Sequence, residues 1–155
     1  MSRHDAIVQL PFATVGIRID GDAITRIEFL PPDTAECAAT DPLAQEAVAA
    51  LKRYSIDPRS GFDLPLRLEG TDFQRRVWRA LQGLKSGETV SYGELAARLG
   101  SGARAVGNAC RRNPVPLIVP CHRVVAKSGL GGFAGDRDGG WTAIKRRLLE
   151  HERTR

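Results

Sequence analysis

A chain of 155 residues that is 42% hydrophobic and 26% charged has the make-up of an ordinary soluble globular protein, long enough to bury one or two small cores. No apolar run approaches the roughly 20 residues of a membrane span, and the opening Met-Ser-Arg-His-Asp lacks the basic-then-apolar pattern of a signal peptide. Three cysteines (37, 110 and 121) form an odd count without Cys-x-x-Cys spacing, so neither a disulfide framework nor a zinc site is expected, and a reducing, cytoplasmic home fits.

The net charge of +5 is unevenly spread. Residues 1–70 hold 7 Lys and Arg against 11 Asp and Glu, a net of −4, whereas residues 71–155 hold 16 against 7, a net of +9. A basic half joined to a mildly acidic one points to a polyanion partner for the second half, although arginines on solvated helix faces give the same count.

In the first half, Val15 to Ile19 alternates with period 2, Asp20-Gly21-Asp22 turns the chain, and Ile24, Ile27 and Phe29 follow, which predicts a hairpin. Asp41-Pro42 reads as an N-cap with proline at the first helical position, and Leu43, Ala47, Leu51 and Tyr54 continue at helical spacing. Phe62, Leu64, Leu66 and Leu68 alternate as a strand with one buried face. Residues 1–70 therefore read as a small α/β domain, with Asp5, Asp20 and Asp22 as solvated turn residues rather than metal ligands.

Glu69-Gly70 marks the expected boundary. Thr71 followed three later by Gln74 fits a capping box, opening a helix with Phe73, Val77, Leu81 and Leu84 on one stripe. Ser91 and Glu94 form a second box ahead of Leu95, Ala96 and Leu99. Gly100-Ser101-Gly102 breaks that helix, and Ala103 to Arg112 resumes with Val106 and Cys110 inward. Two short helices around a glycine-containing turn predict a helix-turn-helix in a mainly α second domain, residues 71–155. On its second helix Arg104, Gly107 and Arg111 share a face, and Ala103, Ala105, Gly107 and Ala109 keep it thin enough to press on a nucleic-acid groove or on another helix.

The stretch Asn113 to Val125 follows at once. Prolines at 114, 116 and 120 fence Leu117-Ile118-Val119 and predict a stiff extended arm that delivers Cys121 beside His122. A thiol next to an imidazole suits a nucleophile, yet a buried inert cysteine fits the local pattern equally well. A glycine-rich loop from Lys127 to Gly140 leads to a final helix near Trp141–Glu152. Its apolar face is Trp141, Ile144, Leu148 and Leu149, and Glu152, four residues after Leu148, falls on the buried side.

Pro120-Cys121-His122-Arg123-Val124-Val125, with Asn113-Pro114-Val115-Pro116 ahead of it, resembles the active-site signature of the O6-alkylguanine-DNA alkyltransferases. The likeness extends over Gly87-Glu88-Thr89-Val90-Ser91-Tyr92, Ala103 to Gly107, Lys145 to Leu149 and His151-Glu152. It covers nearly all of residues 71–152, while residues 1–70 match only in character and imply a small ribonuclease-H-like N-terminal domain.

The resemblance implies single-turnover DNA repair, in which Cys121 takes the alkyl group from O6-alkylguanine, with O4-alkylthymine as a second candidate substrate, and no cofactor or metal takes part. It implies His122 as the base, acting through a water and oriented by Glu152. Asn113 is implied to bridge the DNA-binding helices to the active-site turn, and Tyr92 to crowd a phosphate and help protonate the leaving guanine. Arg104 would replace a flipped base in the stack, with Ala103, Gly107 and Arg111 against the minor groove of double-stranded DNA. Val124, Phe133, Ala134 and Gly135 would line the base pocket of a monomer.

This chain departs from the family at Phe133-Ala134-Gly135-Asp136, where many members carry Tyr-Ser-Gly-Gly, and its loop is lengthened around Arg137–Gly140. Other readings are a binding-only relative, which would lack the cysteine, a helix-turn-helix regulator, and a cysteine hydrolase.

Overall fold

The computed structural model describes residues 4–127 and 140–153. The chain divides into two compact units, Met1–Leu68 and Glu69–Thr154, two residues before the boundary read from the sequence.

The first unit is a three-stranded antiparallel sheet in the order β1-β2-β3, formed by β1 (Ala6–Gln9), β2 (Thr14–Asp20) and β3 (Ala23–Leu30), with helix α1 (Pro42–Ile56) packed on it. Asp20 pairs with Ala23 across the expected hairpin, and Gly21 supplies the left-handed φ of 63° that the tight turn demands. The Asp41 carboxylate caps α1 by accepting from the Leu43 and Ala44 N–H groups. Ala44, Ala47, Leu51 and Tyr54 are buried along one side of α1, and Phe12 meets the Tyr54 ring edge-on at 5.7 Å. Of the three aspartates, Asp5 accepts from Ile19 N–H at the register shift in β2, while Asp20 and Asp22 pair with Arg67.

The strand expected at Phe62 to Leu68 does not form. The segment alternates half-buried and exposed residues, but only Leu66 bridges the sheet, through Ile24 N–H to Pro65 O and Arg67 N–H to Ile24 O. Pro65 has no N–H to donate, which limits the ladder there.

The second unit is mainly helical: α2 (Asp72–Gln82), α3 (Tyr92–Leu99), α4 (Ala103–Arg111) and α5 (Gly140–Arg153), with a two-stranded parallel sheet of β4 (Val90–Ser91) and β5 (Val124–Val125). Both expected capping boxes are formed, at Thr71/Gln74 and Ser91/Glu94. Gly100 ends α3 in the left-handed region (φ 66°, ψ 37°), as a chain reversing within three residues requires. Trp78 was not part of the expected apolar stripe, yet it is 1% exposed, and its indole N–H donates to Ala109 O at 2.8 Å, fastening α2 to α4. Val106 and Cys110 face inward as their spacing predicts, and Ala109 is buried with them.

Candidate active site

The arm before Cys121 is not extended. Residues 115–119 fold into a tight turn closed by Val119 N–H donating to Val115 O (2.9 Å), with Leu117 at a φ of 78° and Pro116 bridging Val119. Proline's fixed φ suits the entry of a turn as well as a strand, and burying Leu117, Ile118 and Val119 together favours the compact form. Pro120 then takes the inverse γ conformation (φ −82°, ψ 69°), in which Cys121 N–H donates to Val119 O at 2.8 Å. Residues 121–123 make one 3-10 turn whose three side chains are all buried.

Asn113, one residue past the cap of α4, holds this turn at both ends. Its Nδ2 donates to Val119 O (2.8 Å) and its Oδ1 accepts from Val115 N–H (2.9 Å). Val119 O therefore receives both Asn113 and the Cys121 backbone, so the end of α4 and the cysteine share one carbonyl as anchor.

Cys121 is 4% exposed. Burial pushes its thiol above the usual range, opposed by the Asn113 hydrogen bond and by the Lys145 ammonium. His122 is fully buried, and its Nε2 lies 2.7 Å from Glu152 Oε2. Burial holds the imidazole below its ordinary range; Glu152 works against this, while the positive charges of Arg123 and Lys145 add to it. His122 Nδ1 is buried with no hydrogen-bond partner among the described residues.

Glu152 arrives from α5, on the buried side where its spacing from Leu148 puts it. It also accepts from Arg123, Nε to Oε1 and Nη2 to Oε2, both 2.9 Å, and from Gly87 N–H at 3.4 Å.

Sequence reasoning missed two residues here. Arg123 is 9% exposed and, besides gripping Glu152, donates through Nη1 to Leu84 O at 2.6 Å. Lys145 is fully buried. Its ammonium donates to Val124 O (2.8 Å) and to the Tyr92 hydroxyl (3.5 Å), lies 5.6 Å from the Tyr92 ring centre, and is pushed down by burial to about 8. A signal for Lys145 existed: it precedes Glu152 by seven residues, two helical turns, and so shares its face. For Arg123 the only hint was its place between a Cys-His pair and two valines.

The structure thus brings Cys121, His122, Glu152 and Asn113 together, with Tyr92 joined to them through Lys145. Tyr92, the first residue of α3, is half-buried; a Cβ added at Gly107 would sit 4.0 Å from its ring, ordinary contact distance. Ala103, Arg104 and Arg111 are exposed along α4. Val124 is fully buried in β5. Phe133, Ala134 and Gly135 lie outside the described residues. Among the described residues no group of His, Cys, Asp or Glu is arranged to hold a metal ion, and no helix is long and apolar enough to cross a membrane.

The arrangement offers the Cys121 thiol, an imidazole oriented by a buried carboxylate, and an exposed basic helix leading directly into both; the Cys110 thiol, buried on the inner side of that helix, is held well above its usual range by burial. Residues 72–154 match the family model described as the DNA-binding domain of 6-O-methylguanine DNA methyltransferase. The chain is 39% identical to the constitutive methylated-DNA–protein-cysteine methyltransferase of Bacillus subtilis, over 94% of this chain and 92% of that protein. It is 41% identical to the enzyme of that name from Mycobacterium bovis, over 98% and 93%. Among solved structures, the Mycobacterium tuberculosis O6-methylguanine methyltransferase superposes with a TM-score of 0.81 at 41% identity, covering 96% of this chain and 92% of that one. A crystal structure of the same mycobacterial protein in complex with DNA gives 0.78 at 40% identity, covering 96% and 91%. With such identity sustained along almost its whole length, the chain belongs to the methylated-DNA–protein-cysteine methyltransferases.

Proposed function

We propose that the protein repairs DNA by moving the alkyl group of O6-alkylguanine onto the sulfur of Cys121, once per molecule and irreversibly. The observation that carries this reading is the buried His122–Glu152 pair beside a buried thiol, within a chain of this family. A cysteine is mostly thiol at neutral pH and is a far better nucleophile as thiolate. His122 takes the proton from Sγ through a water, Glu152 steadies the imidazolium that forms, and Sγ attacks the alkyl carbon. The S–C bond forms as the C–O6 bond breaks, and the freed guanine regains a proton, so a thioether and an intact guanine remain. Tyr92 supplies that proton at O6 from its hydroxyl, which the Lys145 ammonium backs.

O6 lies within the base stack, so the nucleotide must leave the duplex to reach a buried sulfur. We read α3 and α4 as a helix-turn-helix, with α4 against the minor groove of double-stranded DNA, Arg104 in the gap left by the flipped base, and Ala103, Gly107 and Arg111 along the contact. Val124, Phe133, Ala134 and Gly135 would line the pocket. The first unit is read as the small ribonuclease-H-like domain of the family, and the protein as a cytoplasmic monomer.

The test is the intact mass after incubation with a duplex carrying O6-methylguanine. One methyl group in place of a hydrogen is expected, on the peptide holding Cys121, and none in Cys121→Ser. Tight binding with unchanged mass would reject transfer in favour of a damage sensor.

A further inference from the structure

Glu152 is the most heavily bonded carboxylate among the described residues, and one side chain, Arg123, reaches both of its oxygens. Arg123 takes both oxygens in a fork, Nε on Oε1 and Nη2 on Oε2, while its remaining nitrogen is spent on Leu84 O. A carboxylate held at both oxygens cannot rotate, and this bidentate geometry is available to arginine alone among the cations. The oxygen left facing His122 is Oε2, 2.7 Å from Nε2. An ionised carboxylate only accepts, so Nε2 carries the hydrogen, and a neutral ring then keeps its lone pair on Nδ1.

We infer that Arg123 is a positioning residue of the transfer: its fork fixes Glu152 against His122 and cancels the carboxylate's charge, so that the imidazole rests neutral, protonated on Nε2 and open on Nδ1 to the thiol's proton. This rests on the function proposed above.

Among the described residues, the charged groups that act on His122 are Glu152 and Lys145 from α5 and Arg123 from its own turn, where the Cys121 thiol is its neighbour. With Arg123 present, the Arg–Glu pair is neutral and the interior gains nothing by charging the ring. Without it, a buried carboxylate stands alone beside an imidazole, and the cheapest remedy is a proton on His122, since an unpaired buried charge is heavily penalised. An imidazolium has no lone pair at Nδ1 and cannot serve as the base. Nδ1 is also the ring atom left buried without a partner among the described residues.

The test uses the full-length protein with nitrogen-15-labelled histidine, read by NMR, alongside transfer rates from an O6-methylguanine duplex measured between about pH 6 and about pH 9, the range in which a perturbed histidine titrates. In the wild type, His122 should appear near neutral pH as the neutral Nε2–H tautomer. In Arg123→Met it should become imidazolium there, and the acid limb of the rate profile should move up by about one pH unit, a roughly tenfold loss at neutral pH that is recovered at higher pH. Arg123→Lys keeps the charge and should keep the wild-type titration, with a slower rate at every pH from the loosened carboxylate. An imidazolium or an Nδ1–H ring in the wild type overturns the inference, as does an Arg123→Met variant slowed by one factor at all pH values with His122 titrating as before. If Arg123→Met does not fold, the wild-type spectrum and Arg123→Lys decide. Failure of the wild type to transfer at all would instead defeat the function, and the tautomer could still be read.

Discussion

Lys145 and Glu152 stand two turns apart on the buried face of α5 and grip the two ends of one short stretch: Glu152 holds His122 and Arg123, and Lys145 holds the carbonyl of Val124. The last helix thereby fixes the 3-10 turn of Cys121 from behind with one negative and one positive charge. The positive one is costly to bury, and that has a measurable consequence.

Lys145 gives up its proton at about 8 in the folded protein, against 10.5 for the ordinary side chain. Between those values the unfolded chain binds the additional proton, so stability must rise with pH. Measured by denaturant unfolding, the stability of the wild type relative to Lys145→Met should be level below about pH 8, climb from there to about pH 10.5, and gain roughly 3 kcal/mol in total. A difference that stays flat or falls across that window contradicts a buried ammonium.

Asn113 links α4 to the cysteine through the Val119 carbonyl, so its loss should injure chemistry more than folding. Asn113→Ala leaves Val115 N–H without its acceptor and removes the amide that assists the thiol. We expect a loss of about 1–2 kcal/mol of stability and at least a tenfold slower transfer. Asn113→Asp keeps the acceptor but places a negative charge by the sulfur, and should be slowest at neutral pH. Transfer by Asn113→Asp at or above the rate of Asn113→Ala would argue against an electrostatic part for the amide.

Trp78 joins α2 to α4 by its indole N–H. Trp78→Phe keeps most of the ring and loses the bond to Ala109 O, which keeps the Arg112 N–H at 3.2 Å as its other donor. A loss of about 1–1.5 kcal/mol in denaturant unfolding is expected, the net worth of one buried hydrogen bond. A change within about 0.5 kcal/mol, as for an ordinary surface substitution, would mean that the bond is not formed in solution.

Arg104 is exposed on α4, so Arg104→Ala should leave stability within about 0.5 kcal/mol. Transfer from duplex DNA should slow at least tenfold, while reaction with the free base O6-benzylguanine stays near wild type. Equal loss on both substrates would sink the stacking role. Binding to undamaged duplex should weaken as salt rises, because phosphate contacts release counterions.

Local patterns in the chain were enough to place α1, α2, α3 and α4: the first three begin with a side-chain cap, α4 follows the Gly100–Gly102 break, and all continue at helical spacing, signals that need no distant partner. The hairpin was legible for the same reason. The segment at Phe62–Leu68 was not. Its alternation is a strand signal, but a ladder needs donors from a neighbour and from itself, and Pro65 interrupts them. The stretch before Cys121 misled in a related way: its prolines fix φ without choosing between strand and turn, and burial of Leu117 in the left-handed region chose the turn.

By itself the sequence determined which residues could do chemistry. A Cys-His pair, a carboxylate on the inner side of the last helix, and a thin arginine-bearing helix just upstream all follow from residue type and spacing. Only the tertiary structure decided the electrical setting of that chemistry. Arg123 and Lys145 look like two more surface cations in a basic half; spacing puts Lys145 on the face of Glu152, but no residue type or spacing says that either cation is buried. They are buried because Glu152, Leu84 O, Val124 O and Tyr92 converge there from separate elements, and a buried cation is tolerated only where such acceptors meet.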